Sequence, residues 1–220
     1  MSDDPLAHWT EGDSPKSARW RSEAGVPAPK RVVVADDTLT ADAACRLANE
    51  GTAFLWRSDF NNARQLLQAM ARRADRKPRV GTSAKPGSPL DAFHAHRQAQ
   101  GRRSRILGSL LIPIDGDYAI PLRRAPDLRE ACREAWGPPD GTASVASLRE
   151  LLGLNGAHEW RKKGVEIPAL GPAPDNRIHA HYGVFSPVRG EYLDLVAKAP
   201  LPSGELAFDV GTGTGVLAAI

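Results

Sequence analysis

Between Glu205 and Ile220 one acid and three glycines fall at alternate positions: Asp209, Gly211, Gly213 and Gly215, with Thr212 between the first two glycines. Leu206, Phe208 and Val210 lead into them with the alternation of a short buried strand. Gly211 would let the chain leave that strand sharply. Gly213 would put no Cβ between the backbone and a ligand, and Gly215 would let a following helix pack close. Val216 to Ala219 then open an apolar helix whose first N–H groups face the same crevice. A strand, a glycine loop and a helix in this order suit a nucleotide or nucleoside. The frame Gly213-x-Gly215-x-x-Ala218 satisfies the dinucleotide fingerprint, and a purely structural glycine turn is the bland alternative. The frame Asp209-x-Gly211-x-Gly213-x-Gly215 fits better. It sets a carboxylate beside the loop, which disfavours a pyrophosphate at close range and favours a ligand bearing an ammonium group.

S-adenosylmethionine is such a ligand, with an α-ammonium beside its sulfonium. About twenty residues upstream stands Tyr182-Gly-Val-Phe185-Ser-Pro187-Val-Arg189-Gly-Glu191, followed by a helical run. Together the two segments resemble class I S-adenosylmethionine-dependent methyltransferases of the small-domain type. One similarity is to the HemK/PrmC-type glutamine methyltransferases, which carry an apolar–Pro–Arg–x–Glu run here. The other is to ribosomal RNA methyltransferases with a Gly-Val-Phe-Ser run. Val188 separates Pro187 from Arg189, a departure from the first group. The resemblance covers residues 178–220, and it implies that Asp209, Gly211, Thr212, Gly213 and Gly215 hold the cofactor, with Phe185 and Arg189 beside them. It also implies a Rossmann-like sheet in which 205–210 is the first and central strand. In that family an acid ending the second strand binds the ribose, and an Asn/Asp-Pro-Pro-aromatic motif ends the fourth. Neither is found before Ile220, so the chain reads as the N-terminal portion of a longer methyltransferase, inactive alone, with no catalytic residue to name.

Other candidate chemistry is thinner. His94 and His96 fall in an expected helix, where a spacing of two puts them on different faces. His179 and His181 fall in an expected strand, where it puts them on one face. No carboxylate or cysteine cluster accompanies either pair, so neither reads as a zinc site. No Ser/His/Asp or Cys/His arrangement follows from spacing. From Asn61 to Arg105 eleven basic residues face two acids, Asp75 and Asp91, whereas the whole chain carries only +3. A solvated helix face explains such a run. So does a surface contacting the phosphates of RNA or a ribosomal particle.

The elements that would position these groups are an α/β set. Residues 1–30, polar and rich in Pro, Ser and Gly, read as a disordered tail. Residues 31–170 read as a mixed α/β accessory domain, and 175–220 as the start of the Rossmann-like methyltransferase domain, with the boundary at Gly171-Pro-Ala-Pro174. Within the accessory domain, Arg31–Val34 suggests a strand, and Thr40 caps a helix over Ala41–Glu50 stopped by Gly51. A second helix runs from about Asp59 to Arg76, closed by Pro78. Ser88 and Pro89 start a third helix that ends on Arg102, Arg103 and Arg105. Ile106–Ile114 reads as a buried strand, hairpinned through Asp115-Gly116 to Tyr118–Leu122. Pro126 opens a helix stopped at Gly137, Ser144 or Ser147 starts another, and Gly164–Leu170 is a short strand.

At 220 residues with 41% apolar and 25% charged side chains the chain can bury a core. Cys45 and Cys132 read as buried thiols of a reduced, cytoplasmic protein rather than a disulfide framework. No apolar run is long enough for a membrane span, and Met1-Ser-Asp-Asp-Pro lacks a signal peptide's regions. The reading is therefore a methyltransferase acting on RNA or on protein, with RNA contact through 61–105. The rival is a non-enzymatic RNA- or ribosome-binding module with a vestigial methyltransferase half.

Overall fold

The computed structural model describes residues 4–75, 88–185, 190–200 and 204–220. The chain is a mixed α/β protein that divides into two compact units, Met1–Arg129 with Pro138–Gly153, and Glu130–Gly137 with Leu154–Ile220.

The first unit is built on a six-stranded sheet of order β1-β2-β6-β5-β4-β3. Its strands are β1 (Leu6–Glu11), β2 (Ser14–Arg21), β3 (Arg31–Ala35), β4 (Thr52–Trp56), β5 (Leu110–Ile114) and β6 (Ser144–Ser147). β3, β4 and β5 run parallel, as helical crossovers require, and β6 lies antiparallel to β5 and parallel to β2. α1 (Ala41–Asn49) makes the first crossover, with Thr40 Oγ1 accepting from the Ala43 N–H. α2 (Phe60–Ala74) and α3 (Pro89–Gly108) make the second. Asp59 caps α2 through the Asn61 N–H and is itself met by Arg124 Nε at 2.5 Å. That guanidinium holds the buried carboxyl below its ordinary range.

Period two sorts the core. Ala53 and Leu55 of β4 join Ala7, Trp20, Val32, Leu111 and Val145 on one face of the sheet. Phe54 and Trp56 point to the other face, where α1 and α2 bury Ala44, Ala48, Ala63, Leu67 and Met70. β1 and β3 are the two ends of the ladder, yet they lie side by side, so the sheet curls round its apolar face. Arg57 fastens the two ends by a forked pair to Glu11, at 3.0 and 2.8 Å, and stacks over Trp9.

Several expectations are corrected here. Residues 6–21 are a paired hairpin rather than a disordered tail. The two-residue turn at Gly12 (φ +61°) and Asp13 closes it. Trp20 is buried, its indole N–H donating to the Val26 carbonyl at 2.7 Å. Two aromatic anchors outweigh a polar composition. α3 runs through Ile106 and Leu107, which face the core, and the strand starts at Leu110. β5 pairs with β6, and Tyr118–Leu122 forms no strand. Tyr118 turns back at φ +70° and is buried. Ser144 is in β6, and Ser147 starts the following helix by accepting from the Glu150 N–H. β4 carries no turn signal of its own beyond Gly51, and its pairing with β3 and β5 is what makes it a strand. The end of α2 at Pro78 and the loop 80–87 lie outside the described residues.

The second unit takes most of α4 (Arg129–Trp136) and the C-terminal part of α5 (Leu148–Lys163). It also holds β7 (Val165–Glu166) paired with β8 (Arg177–Ile178), and α6 (Glu191–Lys198). Gly171-Pro-Ala-Pro174 is therefore the turn between two paired strands, and the division of the chain falls at 153/154, inside α5. Its core is small: Val165, Ile167, Leu193 and Val216.

Candidate functional site

The glycine loop lies in the second unit. Gly211, Gly213 and Gly215 all adopt positive φ (+86°, +56° and +77°), a region that side chains disfavour. Thr212 Oγ1 donates to the Asp209 carbonyl at 2.9 Å, and the Gly215 N–H donates to the Thr212 carbonyl at 2.8 Å. The turn is thus tied locally. Asp209 is half-buried, and its Oδ2 has no hydrogen-bond partner among the described residues although solvent does not reach it. Val216 anchors the loop in the unit's core. A Cβ on Gly213 would stand 3.6 Å from the Phe185 carbonyl oxygen and 3.8 Å from Phe185 Cβ. The two segments that carry the family resemblance therefore touch. Arg189 lies outside the described residues.

Two features of the expected site differ. Residues 205–210 join no strand ladder. Leu206, Phe208 and Val210 are 70%, 81% and 94% exposed. A strand needs partners for its N–H and C=O groups, and the described strands of this unit pair only with each other. The helix expected after Gly215 is reduced to one 3₁₀ turn, Leu217–Ala219.

The histidines separate into roles. His94 and His96 are exposed on α3. His179 and His181 follow β8 rather than lying within it. His179 Nδ1 donates to the Arg161 carbonyl at 2.6 Å, and its ring covers Gly164, whose φ is +74°. With the Gly164 N–H on the Trp160 carbonyl (2.9 Å) and Arg177 Nη1 on the Lys163 carbonyl (3.1 Å), it satisfies the open end of α5. His181 instead lines a cavity of about 270 Å³ with Ala157, Trp160, Val165, Tyr182 and Val184. That cavity was not legible in the sequence, because Trp160 and Tyr182 are brought together by the β7–β8 pairing. Nearby, Glu134 accepts from Arg161 at 2.6 Å and lies 3.1 Å from His158 Nδ1. Partial burial pushes its carboxyl up, but the two basic partners outweigh this and hold it low.

The basic run is unequal. Arg73 pairs with Asp42, Arg103 with Asp75, and Arg102 donates to Asn49. Arg64, Arg72, Arg97 and Arg105 are exposed and make no ion pair among the described residues. Arg76, Lys77, Arg79 and Lys85 lie outside the described residues.

Among the described residues no group of three or more His, Cys, Asp or Glu could hold a metal, and no helix is long and apolar enough to cross a membrane. No protein-family model matches the chain, and no curated protein matches it.

Proposed function

We propose that the chain carries the cofactor-binding part of an S-adenosylmethionine-dependent methyltransferase acting on RNA or, second, on protein. The observation that carries the reading is the approach of Phe185 to Gly213. It joins the two motif segments, with 27 residues of sequence between Phe185 and Gly213, at a loop that leaves space where a side chain would stand. The half-buried Asp209 oxygen without a partner adds an acceptor suited to an ammonium group. The bound cofactor would supply an electrophilic methyl group. An acceptor's lone pair would take that methyl group in line with the departing sulfur, with the acceptor's proton passing to a base. For such an in-line displacement the protein's own work is chiefly orientation. Asp209 and the loop N–H groups would fix the amino-acid end, and Phe185, whose backbone approaches Gly213, would border it. The exposed arginines of α2 and α3 favour a polyanionic acceptor.

Calorimetric titration with S-adenosylmethionine tests this. Asp209→Asn keeps the shape and removes the charge. It should weaken binding by about 10- to 150-fold, the equivalent of ~1.5–3 kcal/mol for a charge-assisted bond, with an unchanged melting curve. Unchanged affinity together with a lower melting temperature would make Asp209 a structural acid and sink the reading. Gly213→Val is the poorer probe, since a β-branched residue at φ +56° strains the backbone whatever the ligand.

A further inference from the structure

The cavity beside α5 has walls of a particular kind. Trp160 stands at its rim, 55% exposed, and its indole N–H makes no hydrogen bond among the described residues. Tyr182 and His181 come from the turn after β8, so three rings border one opening. Ala157, Val165 and Val184 line it with small apolar groups. At about 270 Å³ it is near the lower end of small-molecule sites, the size of one planar ring system rather than an extended cofactor. An exposed tryptophan is otherwise an unfavourable surface group in water, and stacking with a flat ring is what it does best.

Charge narrows the occupant. Trp160 is followed by Arg161, Lys162 and Lys163 in the last turn of α5. Arg161 is held by Glu134, and Lys162 lies 3.5 Å from Glu159. Lys163 is exposed and makes no ion pair among the described residues. Lys163 does not line the cavity but lies three residues after Trp160 on the same helix face, a cation that an anionic group attached to a stacked ring could use and a neutral aromatic side chain would not. The last wall residue, Val184, is bonded to Phe185, whose backbone comes near Gly213, although no residue of the glycine loop lines the cavity itself.

We infer that this cavity binds a nucleobase of the RNA acceptor, stacked on Trp160 with its phosphate toward Lys163. The inference rests on the methyltransferase reading for its purpose, and on the cavity alone for its chemistry. Single bases stack on such platforms without sequence preference, and the site would hold a base drawn out of its helix.

The test follows the Trp160 indole N–H resonance of the ¹⁵N-labelled 220-residue chain, assigned by its loss in Trp160→Phe. Guanosine and adenosine 5′-monophosphates are titrated separately, with S-adenosylmethionine binding measured in parallel. The expected result is a saturable shift of that resonance, with affinity about tenfold or more lower in Trp160→Ala. Ala157→Leu should also lower it, by filling the cavity without touching a ring. Lys163→Glu should weaken the monophosphates but not the corresponding nucleosides. S-adenosylmethionine affinity should stay the same in all three variants. If S-adenosylmethionine binds and neither nucleotide moves Trp160, the cavity inference is overturned while the cofactor reading stands. If the nucleotides bind and Asp209→Asn leaves S-adenosylmethionine affinity unchanged, the cavity is supported and the cofactor reading fails. A shift produced by N-acetyl-tyrosinamide but by neither nucleotide would overturn the inference in favour of a protein acceptor.

Discussion

Residues 52–56 read Thr-Ala-Phe-Leu-Trp, and residues 206–210 read Leu-Ala-Phe-Asp-Val. In the first, every residue is buried and Phe54 is shut off from solvent. In the second, Phe208 is 81% exposed. The side chains are similar enough that composition does not separate the two. What separates them is the neighbouring backbone. β4 has β3 on one side and β5 on the other, so its N–H and C=O groups are taken up and both faces are covered. Residues 206–210 have no strand beside them among the described residues, and their apolar side chains have no sheet to cover. An apolar pattern nominates a strand; only a partner ladder makes one.

Hydrogen exchange should show this contrast at its largest. Amides of β4 should open only with the first unit as a whole, and those of 206–210 should exchange almost freely. The expected gap is about a thousandfold or more, the factor for an opening cost of ~4 kcal/mol. Comparable protection in both segments would break the comparison. Substituting the two phenylalanines gives the next largest difference. Phe54→Ala should destabilise the first unit by about 3–5 kcal/mol through lost burial and a cavity. Phe208→Ala should stay within about 0.5 kcal/mol. Denaturant unfolding of both variants, read by the near-ultraviolet signal, measures the pair.

A third test asks whether exposure in the first unit serves a partner. Arg64, Arg72, Arg97 and Arg105 are exposed and make no ion pair among the described residues, Arg97 lying over the Phe93 ring, whereas Arg102 and Arg103 hold Asn49 and Asp75. Reversing the four to Glu should flatten the salt dependence of binding to an RNA hairpin, by about 0.9 in logarithmic slope for each phosphate no longer neutralised. The fold should survive, since all four are exposed and hold no carboxylate, and Arg103 is left in place because it holds Asp75. An unchanged slope would return these arginines to the role of a solvated face.

The smallest effect concerns acid. The Thr142 N–H and Arg19 hold Asp140 at a pKa lowered to about 2. A depressed carboxyl contributes stability that is present above its unfolded pKa of about 4 and is lost as pH falls toward the folded value. Asp140→Asn should therefore lower the melting temperature slightly at pH 7, and remove part of its decline between about pH 4 and pH 2. An identical acid limb in variant and parent would show that the pair contributes nothing.

Local signals were read well wherever the physics is local. Thr40, Asp59 and Ser88 cap α1, α2 and α3 because each offers an oxygen to an N–H two or three residues on. Gly51 and Gly137 end helices at positive φ, which glycine adopts freely. The glycines of the candidate loop announced their turn for the same reason. Long-range pairing was beyond such signals. That β5 takes β6 as its partner rather than the segment after Asp115-Gly116 depends on a chain thirty residues away. That β1 and β2 are strands depends on β6 and on the burial of Trp20. That Trp160, His181 and Tyr182 border one cavity depends on β8 returning along β7. The sequence by itself therefore determined the caps, the turns and the residue types of the candidate site. Which apolar runs became strands, and which rings met, was decided by tertiary structure, because a strand's hydrogen bonds and a cavity's walls belong to segments distant in the chain.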